Sequence, residues 1–191
     1  MRGDDVTTTV EIATGFLAGL ADRDWSVPAG PLEWSCRDTG VHVADDLFGY
    51  AAQVAVGPPD SYPPFEIVVG DAATVDGLLL VIRTGGAMLA TSVAAASPDA
   101  RGWHPFGVSD PAGFAAMGVV EVLVHTHDIA RGLGTSWTPP ADACAAALAR
   151  LWPDTDPGPD PAATLLHVTG RAALDGTPAP ARWRWYGEVP G

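Results

Sequence analysis

At 191 residues the chain is long enough to bury a full core and short enough to be one domain, or one domain with a tail. Its formal net charge is -13, and all ten of its basic residues are arginine. Such a surface repels nucleic-acid phosphates and anionic membranes, so neither is an expected partner; a small acidic substrate stays admissible, because a pocket can carry its own arginines.

The N-terminal MRGDDVTTTVEIATG is acidic and lacks an apolar run behind basic residues, which argues against a secretory signal. The most apolar stretch, from Gly77, is interrupted by Arg83 and Gly85-Gly86 and falls short of the ~20 residues a membrane span needs. It reads as a buried helix. Cys36 and Cys144 are far apart and form no disulfide framework, so a reduced, cytoplasmic protein is expected.

In chain order, Val6 to Asp24 sets Val10, Phe16, Leu17 and Leu20 near one stripe and predicts a first helix. A Pro- and Gly-rich loop follows. Ser35-Cys36-Arg37-Asp38 reads as a capping box opening a second helix to about Val54. After a long loop, with a short extended piece expected at Phe65 to Val69, Asp71 is the expected cap of a third helix reaching about Ala96. Asp110-Pro111 is an N-cap followed by Pro at the first helical position, and the fourth helix runs to about Leu133, before Gly134. Four long helices read as an all-α four-helix bundle, residues 1–135, and the long loops allow crossover connections. Residues 136–191 read as a C-terminal extension packed on the bundle: a helix in PPADACAAALARLW, another in PAATLLHVTGRAAL, and an alternating, extended PARWRWYGE.

The fourth helix carries Glu121 and His125. Four residues make about 400° of helix, so the two side chains lie one turn apart on one face, within reach of one metal ion. Asp128 lies about 20° to the other side of Glu121. Apolar neighbours at Val120, Leu123 and Val124 put this polar face in or along the core, where an isolated Glu and His cost several kcal/mol unless paired or metal-bound. His42, between Val41 and Val43 on the second helix, is the third candidate ligand. Three protein ligands leave a tetrahedral ion one open position, the arrangement of catalytic sites. A hydrogen-bonded polar patch is the alternative reading of the same residues.

His127 lies about 200° around the helix from His125 and faces elsewhere. Asp45 and Asp46, three and four residues after His42, are expected to be solvated; the alternative for Asp46 is to support a ligand or to serve as an alternate ligand itself. His104 reads as a surface loop residue, His167 as tail packing, and Cys36 and Cys144 as small structural residues.

These residues carry a resemblance. WSCRDTGVHVADDL looks like a Trp, a short capped turn and a His on helix two; EVLVHTHDIARGLG looks like an ExxxHxxDxAR motif on helix four. Together with LLHVTGRAALDG and RWRWYG, they resemble the DinB-like superfamily, in particular its mycothiol-dependent maleylpyruvate isomerase group. The chain departs from that pattern at AGPLEW and at His127, and it is too short to carry a complete second domain of the isomerase type.

The resemblance implies an up-down-down-up four-helix bundle. It implies a divalent ion, commonly zinc, on His42, Glu121 and His125, with a low-molecular-weight thiol such as mycothiol as cosubstrate. The expected function is a metal-activated thiol adding to or isomerising a small electrophilic substrate. The rivals are a zinc hydrolase, with Asp128 or Asp46 as base, and a non-catalytic metal- or ligand-binding bundle. Arg131 is a weak candidate for a substrate carboxylate. Trp183 and Trp185 suit either a homodimer interface or the core.

Overall fold

The computed structural model describes residues 1–189 and is all-helical, with no β-strand among them. Its elements are α1 (Gly3–Ala18), α2 (Cys36–Val56), α3 (Val75–Ala95), α4 (Pro111–Gly132), α5 (Ala141–Leu151) and α6 (Pro161–Val168).

The starts of the long helices follow side-chain chemistry. Ser35, Thr74 and Asp110 each accept a backbone N–H three residues on, which satisfies a donor that the first helical turn leaves unpaired. The third helix thus starts at Thr74 rather than Asp71, which lies in the preceding turn. Gly57 ends α2 in the left-handed conformation (φ 64°), its N–H bonded to the Gln53 carbonyl. α1 stops at Ala18; Leu20 and Trp25 are buried from the turns beyond it, while Phe16 is only half-buried. Phe65 to Val69 forms no strand; it is tied down by the Ile67 N–H, which donates to Asp45 Oδ1 at 2.7 Å.

The contacts fix the sense of each helix. Gly3 at the start of α1 abuts Ala90 near the end of α3, and Val10 abuts Gly86, so α1 and α3 are antiparallel. Gly40 meets Leu78 and Leu47 meets Gly85, so α2 and α3 are parallel. Cys36 meets Ile129 and Tyr50 lies beside Gly118, so α2 and α4 are antiparallel. The order is up-down-down-up. α2 and α3 pack side by side, whereas α1 sits diagonally across the bundle from α2 and α3 from α4, so the α1–α2 and α3–α4 loops make the crossings.

Two helices depart from a single apolar stripe. α3 buries Leu78, Leu79, Ile82 and Leu89 but leaves Leu80 and Met88 exposed, so the expectation of a buried helix holds for one face only. By length and composition alone α3 could cross a membrane. Its Gly85-Gly86 pair does not break it; those glycines lie where Phe48 and Val10 come too close for a side chain. α4 is buried all round, 18 of its 22 residues, because α5 and the C-terminal segment cover the face turned away from the bundle. The core around it holds Leu47, Leu89, Phe114 and Met117, each fully buried. Truncating one such Leu to Ala costs about 2–5 kcal/mol.

The C-terminal segment is held by charge as well as packing. Arg150 on α5 pairs with Asp110 at 2.8 Å, and Arg171 beyond α6 pairs with Asp128 at 2.9 Å. Residues 183–188 alternate between inward and outward, as their sequence alternation predicts, without joining a sheet. Trp185 is buried against Trp152, Phe106 and His104, which makes it part of the core.

Candidate metal centre

The antiparallel contact between α2 and α4 brings His42 over Glu121 and His125. Gly118, one turn before Glu121, makes this approach possible: a Cβ there would lie 2.6 Å from Leu89 and 3.2 Å from Leu47. Glu121 Oε2 lies 3.1 Å from His125 Nε2 and 3.6 Å from His42 Nε2. The two imidazole rings are 5.0 Å apart and nearly perpendicular. One ligand atom from each residue lies within 4.8 Å of the others. Ligand atoms about 2.0–2.1 Å from a tetrahedral ion stand about 3.3 Å from one another, so the two measured separations already suit such an ion.

The three residues differ in access. Glu121 and His125 are buried, whereas the His42 side chain keeps 31% of its surface, with the half-exposed Trp34 edge-on to it at 5.0 Å. The cluster therefore opens to solvent beside His42.

Charge is concentrated here. Burial alone would raise the Glu121 carboxyl, but the close imidazoles of His125 and His42 outweigh it and hold Glu121 far below the usual carboxylate range. Burial would lower His125, yet Asp128 and Glu121 outweigh it and push the imidazole up to about 9. His42 is likewise raised, burial being overcome by Glu121 and Asp46. Asp46, 3.2 Å from His42, is pushed up to about 8, first by burial and then by the neighbouring Glu121 charge.

The sequence-predicted residues sort as follows. His42, Glu121 and His125 come together. Asp128 joins them from behind, 3.2 Å from His125 Nδ1 and completely buried. Asp46 is drawn into the cluster by His42 and is not simply solvated; Asp45 is engaged by the Ile67 N–H. His127 faces away, its Nδ1 3.1 Å from the Trp137 carbonyl. His167 holds the Ala172 carbonyl at 3.0 Å in the tail. Arg131 is exposed. Burial raises the Cys36 thiol to about 11 and Cys144 to about 12, which leaves both unreactive.

Three features were not visible in the sequence. Arg171 reaches Asp128 from 43 residues away. His104 is buried, not a surface residue, packed among Tyr50, Tyr62, Phe106 and Trp185. Tyr50 and Tyr62 line, with His104, a cavity of about 490 Å³ that reaches Glu121 and Asp46. A larger groove of about 660 Å³, between α1, the end of α3 and the start of α4, contains none of these residues.

Residues 7–130 match the family described as the mycothiol maleylpyruvate isomerase N-terminal domain. The chain belongs to that family. The match spans all of α1 to α4 except their outermost residues, and it includes His42, Glu121 and His125. A comparison with curated proteins gave no match. Membership in the mycothiol isomerase N-terminal family agrees with the all-α bundle and with the motifs on α2 and α4.

Proposed function

We propose that the chain is a metal-dependent enzyme in which His42, Glu121 and His125 hold one divalent ion, and a small-molecule thiol, mycothiol first among candidates, is activated for attack on a small electrophile. The observation that carries this reading is the convergence of two imidazole nitrogens and one carboxylate oxygen within 4.8 Å, in a family whose description names mycothiol. The N/N/O donor set favours zinc. Such an ion supplies Lewis acidity, which stabilises a thiolate near neutral pH.

The chain's own groups set up the rest. Asp128 takes the Nδ1–H of His125, so that in the neutral imidazole the Nε2 lone pair, on the Glu121 side of the ring, would be free to hold the ion. Arg171 in turn holds Asp128 ionised and in place. Asp46 lies beside the open edge at His42; an ion bound there would favour its ionised form and leave it free to take the proton a thiol gives up. The cavity reaching Glu121 and Asp46 offers room for the electrophile next to the thiol.

A cobalt-substituted sample, titrated in turn with mycothiol, bacillithiol and glutathione, tests the reading. A sulfur-to-metal charge-transfer band with one of them, lost in His42→Ala, together with consumption of an added electrophile, is expected. Silence with all three thiols favours the hydrolase or the non-catalytic reading; a band without turnover favours sequestration.

A further inference from the structure

One face of α3 is left uncovered by the bundle. Leu80 is 61% exposed, Met88 is exposed as well, and Thr84, Ala87 and Thr91 carry the exposed stripe along the helix. The hydroxyls of Thr84 and Thr91 donate back to the Leu80 and Ala87 carbonyls at 2.8 Å each, so neither needs water. The helix carries only two charges, Asp76 and Arg83, both exposed and both in its first half.

Beside this stripe, the second half of α3 and the start of α1 form the groove of about 660 Å³. Ala87, Ala90 and Ala94 supply apolar lining, and Arg2 and Asp4 supply charge; Asp110 also lines it but is paired with Arg150. Arg2, Asp4, Asp76 and Arg83 have no ion-pair partner among the described residues. Gly3 abuts Ala90 and α1 runs antiparallel to α3, so Arg2 lies toward the end of α3 and Asp4 nearer its middle. Along the first half of α3 the order is therefore acid, leucine, arginine. Along the groove, from its outer end inward, the order is arginine, apolar lining, acid.

We propose that α3 and this groove form a self-complementary, twofold interface for a second copy of the chain. Two copies laid antiparallel about an axis at the middle of α3 put residue 80 of one opposite residue 90 of the other, which seats each Leu80 in the other copy's groove. An axis of this kind keeps α1 on the same side in both copies, so Arg83 meets the partner's Asp4, and Asp76 meets the partner's Arg2. Each contact occurs twice, as an isologous interface requires. Elsewhere a formal net charge of -13 opposes self-association, whereas here the charges are matched. The interface contains none of the candidate metal ligands, so it forms with or without the ion and stands apart from the metal–thiol reading.

Sedimentation equilibrium on the full chain, with zinc and in chelator, tests this. A monomer–dimer equilibrium with a dissociation constant of about 10 μM or tighter is expected in both. Leu80→Asp should weaken it about tenfold or more, since it places a charge in each apolar groove. Arg83→Asp and Asp4→Arg should each weaken it about fivefold or more, and the two together should return it to within about threefold of wild type, because the pair is restored with its signs exchanged. All three positions are exposed, so helical circular dichroism should be unchanged in every variant. A chain that stays monomeric up to about 100 μM, a dimer indifferent to Leu80→Asp, or a double variant no tighter than the single ones overturns the proposal. A monomer that floats with phosphatidylcholine vesicles overturns it too, and gives the face to a membrane instead.

Discussion

Asp128 Oδ2 stands 3.2 Å from Nδ1 of His125, on the side of the ring opposite Glu121. The carboxylate is completely buried, and its other partner is Arg171, from the C-terminal segment. A bundle helix and the extension thus share one buried charge, and that charge orients a candidate ligand. Asp128→Asn should keep the fold but lower metal affinity about 10–100-fold, because the amide cannot hold the imidazole as a carboxylate does. Asp128→Ala, which also strands buried Arg171, should cost about 3–5 kcal/mol of stability. Competition with a chromophoric chelator and urea unfolding read the two effects separately; unchanged metal affinity in Asp128→Asn would refute the orienting role.

The metal-free protein should lose stability as pH rises through the neutral to mildly alkaline range. His125 is raised to about 9 in the folded chain, against about 6.5 unfolded. A raised pKa gives stability that is fully present below about 6.5 and is lost as pH climbs through about 9. Metal affinity should move the opposite way across the same window, since the ion needs a neutral imidazole. Urea unfolding in chelator at pH 6.5 and 9 checks this, with His125→Gln expected to flatten the slope. A metal-free stability that rises with pH would contradict it.

His104 predicts an acid limb of opposite sense. Its folded pKa is depressed to about 4, so the unfolded chain takes up its proton first as pH falls. The contribution is complete above about 6.5 and is lost between there and pH 4, on the order of 3 kcal/mol. His104→Gln should show a shallower loss over that window. Identical acid limbs in the two proteins would mean that His104 is not buried neutral.

Gly118→Ala should act at a distance from the ligands. The added methyl meets Leu89 and Leu47, and overpacking of this kind costs about 1–3 kcal/mol. It should also weaken metal binding, because α4 is pushed off α2 and Glu121 is drawn away from His42. Thermal melts and chelator competition on the same variant check both; destabilisation with unaltered affinity would show that the helix spacing is not what sets the site.

The four helices were legible because their caps and periods are local: Ser35, Asp110 and the stripe of α2 need no tertiary knowledge. Glu121 and His125 were legible for the same reason, being one helical turn apart, and His42 followed from its apolar flanks and the motif. Arg171 and His104 were not, because nothing in their own neighbourhoods signals a partner 43 residues distant or a cage of aromatics drawn from three loops and a helix. Asp71 misled as a cap because Thr74, three residues on, offers a hydroxyl at the better position. Trp183 and Trp185 left interface and core open; burial of Trp185 assigns it to the core.

Metal stoichiometry tests the central claim most directly. Apo-protein dialysed against zinc should retain one ion per chain, while His42→Ala, Glu121→Ala and His125→Ala should each retain little, and His127→Ala should match wild type. Binding should also stabilise the wild type by about 3–4 kcal/mol at 100–1,000 times the dissociation constant. Zinc retention that is absent in the wild type, or equal across the three ligand variants, would contradict the site.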